Sequence, residues 1–148
     1  MAIRYDAADS SRRAKAAGVA DWPEAMAFMR VCIPGHPEAL NCGVCTTCVG
    51  TALCFASAGH PIPTSLRIAS PEEALRRLAD LSPNPVQLVR IQELVDAARR
   101  ERISGTWIGQ MDRYVRRRRL YNHVRTPWRA LERRVSGWRS SSRRAADS

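Results

Sequence analysis

An all-α fold is predicted by three features of the 148-residue sequence. Apolar residues recur at helical spacing in several windows, helix-start signatures precede those windows, and no stretch alternates apolar and polar residues as a strand would. Five cysteines, four of them in the short stretch NCGVCTTCVGTALC, add a staple of another kind: soft metal ligands. The expected molecule is a small helical domain stapled by a Cys-ligated metal or cluster, with a basic helical C-terminal arm. The length suits one domain with a modest core. A hydrophobic content of 45% is too high for full disorder.

The elements follow in order. Residues 1–19 read as a flexible polar lead, and residues 20–104 as the cysteine-bearing helical domain. Asp21-Trp22-Pro23-Glu24 reads as a helix start, with Asp21 as cap and Glu24 in capping-box position. That helix is expected to reach about Val31, using Trp22, Met26, Phe28, Met29 and Val31 as apolar positions, before Pro34-Gly35-His36-Pro37 breaks it. Cys48 to Ala58 reads as a short helix stopped by Gly59 and Pro61. Ser70-Pro71-Glu72-Glu73 is a second capping signature, for a helix to about Leu81 carrying Leu75 and Leu78. Asn84 caps a helix over roughly 86–102 that buries Leu88, Ile91, Leu94, Val95 and Ala98. Gly105 closes it.

From residue 105 the composition changes. Residues 1–104 carry 12 Lys and Arg against 11 Asp and Glu, whereas residues 105–148 carry 12 Arg against 3 acids. Such asymmetry points to a polyanion-binding arm, expected over 105–138, with 139–148 as a disordered tail. Arg116, Arg117, Arg118 and Arg119 cannot all bury on one helix, and their guanidinium forks suit phosphate. Arg125, Arg129, Arg133 and Arg134 lie beside an apolar seam of Val124, Trp128, Leu131, Val135 and Trp138. These eight arginines are the candidate DNA contacts. A solvated charged face is the plain alternative, and an acidic protein or membrane surface another.

The chain opens with early charges and no apolar secretory core, and no run approaches the ~20 residues that span a bilayer. The expected location is the cytoplasm, where thiols stay reduced and clustered cysteines serve metals or catalysis more often than disulfides. Cys45-x2-Cys48-x5-Cys54 with an upstream cysteine supplies four soft ligands for zinc or an iron–sulfur cluster. Cys32 and Cys42 compete for the fourth place. Cys48 and Cys54 are six apart and so do not share a helical face. Cys54, in an apolar helix, reads equally well as a small core residue.

Trp22, then VCIPGHPEAL, then CTTCVGTALCFASA resembles the WhiB-like regulators of actinobacteria. Gly105-Thr106-Trp107-Ile108-Gly109 followed by RYVRRRRL is similar to that family's Trp turn and basic segment. The resemblance implies a [4Fe–4S] cluster on Cys32, Cys45, Cys48 and Cys54, with Cys42 spare. It implies a redox-responsive transcription regulator that meets the primary sigma factor of RNA polymerase through the cluster domain and the turn at Gly105, Trp107 and Gly109, and DNA through the basic tail. About fifty residues separate Cys54 from the turn, against about a dozen in the family. The turn also has a plain reading, in which Trp107 packs over the core. A zinc-stapled nucleic-acid-binding protein, or a structural protein of a phage or mobile element, is the alternative function.

Asn41-Cys42-Gly43-Val44-Cys45 resembles the start of the papain-like catalytic helix, also found in papain-fold toxins. That resemblance implies Cys45 as a nucleophile in a hydrolase or deamidase, with His60 or His123 as base and Asn122 beside His123. The strand-rich half of that fold is not visible in the sequence, and the favoured expectation is a non-enzyme. His36-Pro37-Glu38 before Cys42-x2-Cys45 imitates a zinc-deaminase pattern, but too little chain separates the halves.

Overall fold

A computed structural model of the chain describes residues 10–33 and 39–123. Those residues form an all-α domain, with no strand among them. The helices are α1 (Arg12–Val19), α2 (Pro23–Phe28), α3 (Thr46–Ser57), α4 (Pro71–Asp80) and α5 (Pro85–Arg100), with a 3-10 turn at Thr64–Leu66. A sixth helix, α6, occupies 106–123.

The architecture is organised around α3. Nine of its residues are buried, from Cys48 to Ser57, and it packs against α4, α1 and α5. Apolar character all round its surface is what makes a helix central rather than peripheral. One side of α3 joins the main core, where Val49, Ala52 and Leu53 meet Leu75, Leu78, Leu88, Ile91 and Val95. The other side, with Cys54 and Phe55, meets Ala16 of α1, flanked by Met26 and Met29.

The capping signatures at Ser70 and Asn84 are present. Ser70 Oγ accepts from Glu73 N at 3.1 Å. Asn84 and Gln87 exchange side-chain-to-backbone bonds of 2.9 and 2.8 Å, a complete capping box.

Three expectations are revised. Within the supposed flexible lead, residues 12–19 form α1. Ser11 caps it by accepting from Ala14 N at 3.1 Å, and Arg13 ties it down through Ser57 O and an ion pair with Glu101. Its buried contact is a single alanine, Ala16, too small to stand out as an apolar face. The helix expected from Asp21 to Val31 covers only Pro23–Phe28, with no side-chain cap, because the backbone turns extended at Met29. Trp22 and Phe28 consequently face outward, at 61% and 73% exposure.

The third revision concerns the boundary at residue 105. Trp107, Ile108, Met111 and Val115 of α6 are buried in the main core, so the charge step is not a structural boundary. Gly105 enables the join. Its φ is +152°, and a Cβ there would lie 2.4 Å from the Trp107 indole nitrogen. The expected seam from Val124 to Trp138 and the tail over 139–148 lie outside the described residues.

Asp112, also buried, locks α6 to α5. Its carboxylate accepts from Arg99 at 2.9 Å and from Gln92 at 3.5 Å, and pairs with Arg116 at 3.2 Å. The Arg99 bond holds the Asp112 carboxyl below the usual carboxylate range. Burial opposes this and Arg116 adds to it. A depressed folded-state pKa gives stabilisation that is present above the unfolded value and is lost as pH falls through the folded one. Asp112→Asn is therefore expected to unfold at lower urea concentration than the parent chain at pH 7, with the gap narrowing below about pH 4. Leu53→Ala, at a fully buried site, is expected to cost about 2–5 kcal/mol in the same experiment.

Candidate metal centre

Cys42, Cys45 and Cys48 fall at intervals of three along the turn that enters α3. Cys45 is the N-cap of α3 and Cys48 lies within its first turn. Cys42 Sγ accepts from Cys45 N at 3.4 Å, and Cys45 Sγ accepts from Cys48 N at 3.5 Å. The turn therefore aims each sulfur inward while giving two of them backbone N–H partners. Gly43 makes the turn possible. Its φ is +75°, and a Cβ would sit 3.0 Å from both the Leu66 and Arg67 carbonyl oxygens. Arg77 Nη1 donates to Gly43 O at 2.7 Å and Arg67 O at 3.0 Å, and Arg77 is held in turn by Glu73.

The fourth sulfur arrives from a different segment. Cys32 follows α2, and its Sγ lies 3.9 Å from that of Cys45. Cys42 and Cys48 sulfurs are 4.0 Å apart, and Cys45 and Cys48 sulfurs 3.4 Å. All four ligand atoms lie within 4.8 Å of one another. Cys32 and Cys48 are buried, while Cys42 and Cys45 are half-buried, so one edge of the group meets solvent. All five cysteines are free thiols. Four soft ligands at this separation can hold a metal ion.

The two rivals for the fourth ligand position, Cys32 and Cys42, thus both belong to the group. Cys54 does not. It lies six residues beyond Cys48, about 9 Å along the helix axis and about 120° around it. Its side chain is packed with Ala16 and Phe55 on the α1 side. Burial pushes the Cys54 thiol up to about 11, against the opposing pull of Arg12 and Arg13. A neutral, enclosed thiol is a small core residue.

The electrostatics of the group are uneven. Burial, the hydrogen bond with Cys45 and nearby thiol charge push Cys48 up to about 12. Burial acts the same way on Cys42, but the N–H groups of Val44 and Cys45 and the neighbouring thiols Cys32 and Cys45 outweigh it, bringing Cys42 down to about 6. The N-terminal end of α3, which carries Cys45 and Cys48, favours negative sulfur.

Of the other residues singled out in the sequence, those among the described residues are placed elsewhere. The partners of Cys45 Sγ are the Cys32 and Cys48 sulfurs and the Cys48 N–H, and neither His60 nor His123 is among them. Trp107 is 5% exposed, Gly105 is exposed, and Gly109 is half-buried. Arg113, Arg116, Arg117 and Arg119 are exposed on α6, and Arg118 is turned partly inward, 5.3 Å over the Tyr121 ring. Arg125, Arg129, Arg133 and Arg134 lie outside the described residues. Two residues support the site in roles that the sequence did not assign to them. Arg77 is one. Asn41 is the other, fully buried and bonded to Val31, Cys32, Met29 and Ser65. The Asn-Cys-Gly-x-Cys string carried both the Asn and the Gly signals, under a catalytic reading. No protein-family model, curated protein or solved structure matches the chain.

The geometry separates the cysteines experimentally. Cys42→Ser is expected to lower bound metal well below one equivalent per chain, and Cys54→Ala to leave it unchanged, as read by elemental analysis of the purified proteins.

Proposed function

We propose that the chain is a zinc-stapled nucleic-acid-binding protein. In this reading a closed four-thiolate site fastens the helical body, and the arginine face of α6 contacts the phosphate backbone. The observation that carries the zinc assignment is the sulfur spacing. A tetrahedral ion with Zn–S bonds of about 2.3 Å places its ligand sulfurs about 3.8 Å apart. The separations of 3.4, 3.9 and 4.0 Å bracket that value. A [4Fe–4S] cube puts each thiolate on a different iron and so asks for sulfurs farther apart than the 4.8 Å limit seen here. Four protein ligands also leave no open position, which suits a structural site rather than a catalytic one.

The nucleic-acid half of the reading rests on charge and on which way it faces. Trp107, Ile108, Met111 and Val115 fix the inner side of α6. At about 100° per residue, Arg113, Arg116 and Arg117 fall on the outer side. Arg116 shares Asp112 with Arg99, which leaves Arg113 and Arg117 as the outward charges best placed for phosphate. The net charge of +10 supports the same partner. Guanidinium–phosphate contacts give salt-dependent affinity with little sequence choice, so a general nucleic-acid binder is the reading, and DNA its test ligand. The sigma-factor contact implied by the Trp turn draws no support from a tryptophan already spent on the core.

Two measurements test the two halves. Protein prepared without oxygen is expected to contain one zinc per chain and no acid-labile sulfide; four irons with sulfide would overturn the single-ion reading. For the second, Arg113→Ala with Arg117→Ala is expected to weaken binding to duplexes of unrelated sequence alike. It should also flatten the slope of log K against log salt by about two. Unchanged affinity and slope in fluorescence anisotropy would remove α6 from the interface.

A further inference from the structure

The three ligands of the Cys42–Cys48 turn are local, whereas Cys32 comes from ten residues upstream, so something must carry it to the site. Asn41 spans the gap. Its Oδ1 accepts from Val31 N at 2.8 Å and Cys32 N at 3.1 Å. Its Nδ2 donates to Met29 O at 2.7 Å and Ser65 O at 2.9 Å. A side-chain amide has two donor hydrogens and a two-lone-pair oxygen, and here all of that capacity is used. The residue is fully buried, so each bond is made without competition from water. Asn41 also immediately precedes Cys42. One side chain therefore fixes the backbone on both sides of the site: the Cys32 segment through its amide and the Cys42 turn through its own main chain.

We propose that Asn41 is the positioning residue that makes Cys32 the fourth metal ligand. The inference rests on the single-ion reading above and adds to it an order among the ligands. Cys42, Cys45 and Cys48 bind by virtue of the turn into α3, and Cys32 binds by virtue of Asn41. Partners of metal ligands that fix ligand orientation typically change metal affinity about 10–100-fold when removed.

The test uses Co2+ alone as a probe on the full chain, because its absorption reports how many thiolates bind. The parent chain is expected to give a four-thiolate spectrum; a parent chain without one would defeat the single-ion reading itself, before Asn41 is in question. Asn41→Ala is expected to give the weaker, blue-shifted spectrum of three thiolates and water, with affinity down about 10–100-fold. Cys32→Ala should give the same spectrum, and the double variant no further loss, since both changes remove one interaction. Asn41→Asp keeps the acceptor facing the Cys32 amide and is expected to retain the four-thiolate spectrum with reduced thermal stability. An undiminished spectrum in Asn41→Ala, or losses that add fully in the double variant, would refute the proposal. So would an Asn41→Ala chain that stays unfolded at saturating Co2+ while Cys32→Ala folds, because Asn41 would then serve the fold rather than the ligand.

Discussion

Four sulfurs held within 4.8 Å of one another repel as they ionise, and this constraint explains much of the surrounding structure. Burial adds to this, pushing Cys48 up to about 12, while hydrogen bonds from Val44 and Cys45 N–H groups and neighbouring thiols bring Cys42 down to about 6. The scaffold offers what compensation it has. Backbone N–H groups point at Cys42 and Cys45, the first turn of α3 faces the site, and Arg77 stands behind Gly43. These partial charges do not add up to a full counter-ion for four thiolates. In the zinc reading proposed above, a divalent cation would both remove the repulsion and close the geometry.

That conclusion reaches the whole domain because of where the site sits. The helix that supplies Cys45 and Cys48 at one end supplies Leu53 and Phe55 to two cores farther along. Structural zinc in small domains is worth about 10–16 kcal/mol. A domain's entire stability is about 5–15 kcal/mol. Under the proposed zinc reading, an ion on that scale at the start of the central helix would act on the whole domain.

How much of this was legible beforehand depends on the range of the interaction. The capping signals at Ser70 and Asn84 are local chemistry, and they placed α4 and α5 to within a residue or two. The cysteine group was visible as a group, but its membership was not. Spacing along the chain says that Cys48 and Cys54 point apart on a helix. It does not say that Cys32, brought in by Asn41, joins Cys42 rather than replacing it. Helix α1 was missed because a single alanine and one arginine fasten it, through Ser57 and Glu101, contacts that lie 44 and 88 residues away in sequence. Trp107 was readable either as a partner contact or as core. Only the fold, by seating it against Gly105, selects the core.

The arginine helix shows why composition and structure divide the chain differently. The charge step at residue 105 is a change of composition, while the apolar stripe from Trp107 to Val115 runs straight through it. Screening reduces attraction to phosphate over about 8 Å at physiological salt, so a basic face acts mainly at contact. Arginines on a loose arm would pay ordering entropy at each contact. Here α6 is already fixed by its buried stripe and by Asp112, the acid that gathers Arg99 and Arg116. Arg113 and Arg117 are thereby presented by a rigid body whose central helix is anchored at the thiolate group. In the function proposed above, the thiolate group and the basic face would be linked without direct contact, through the one packed core they share.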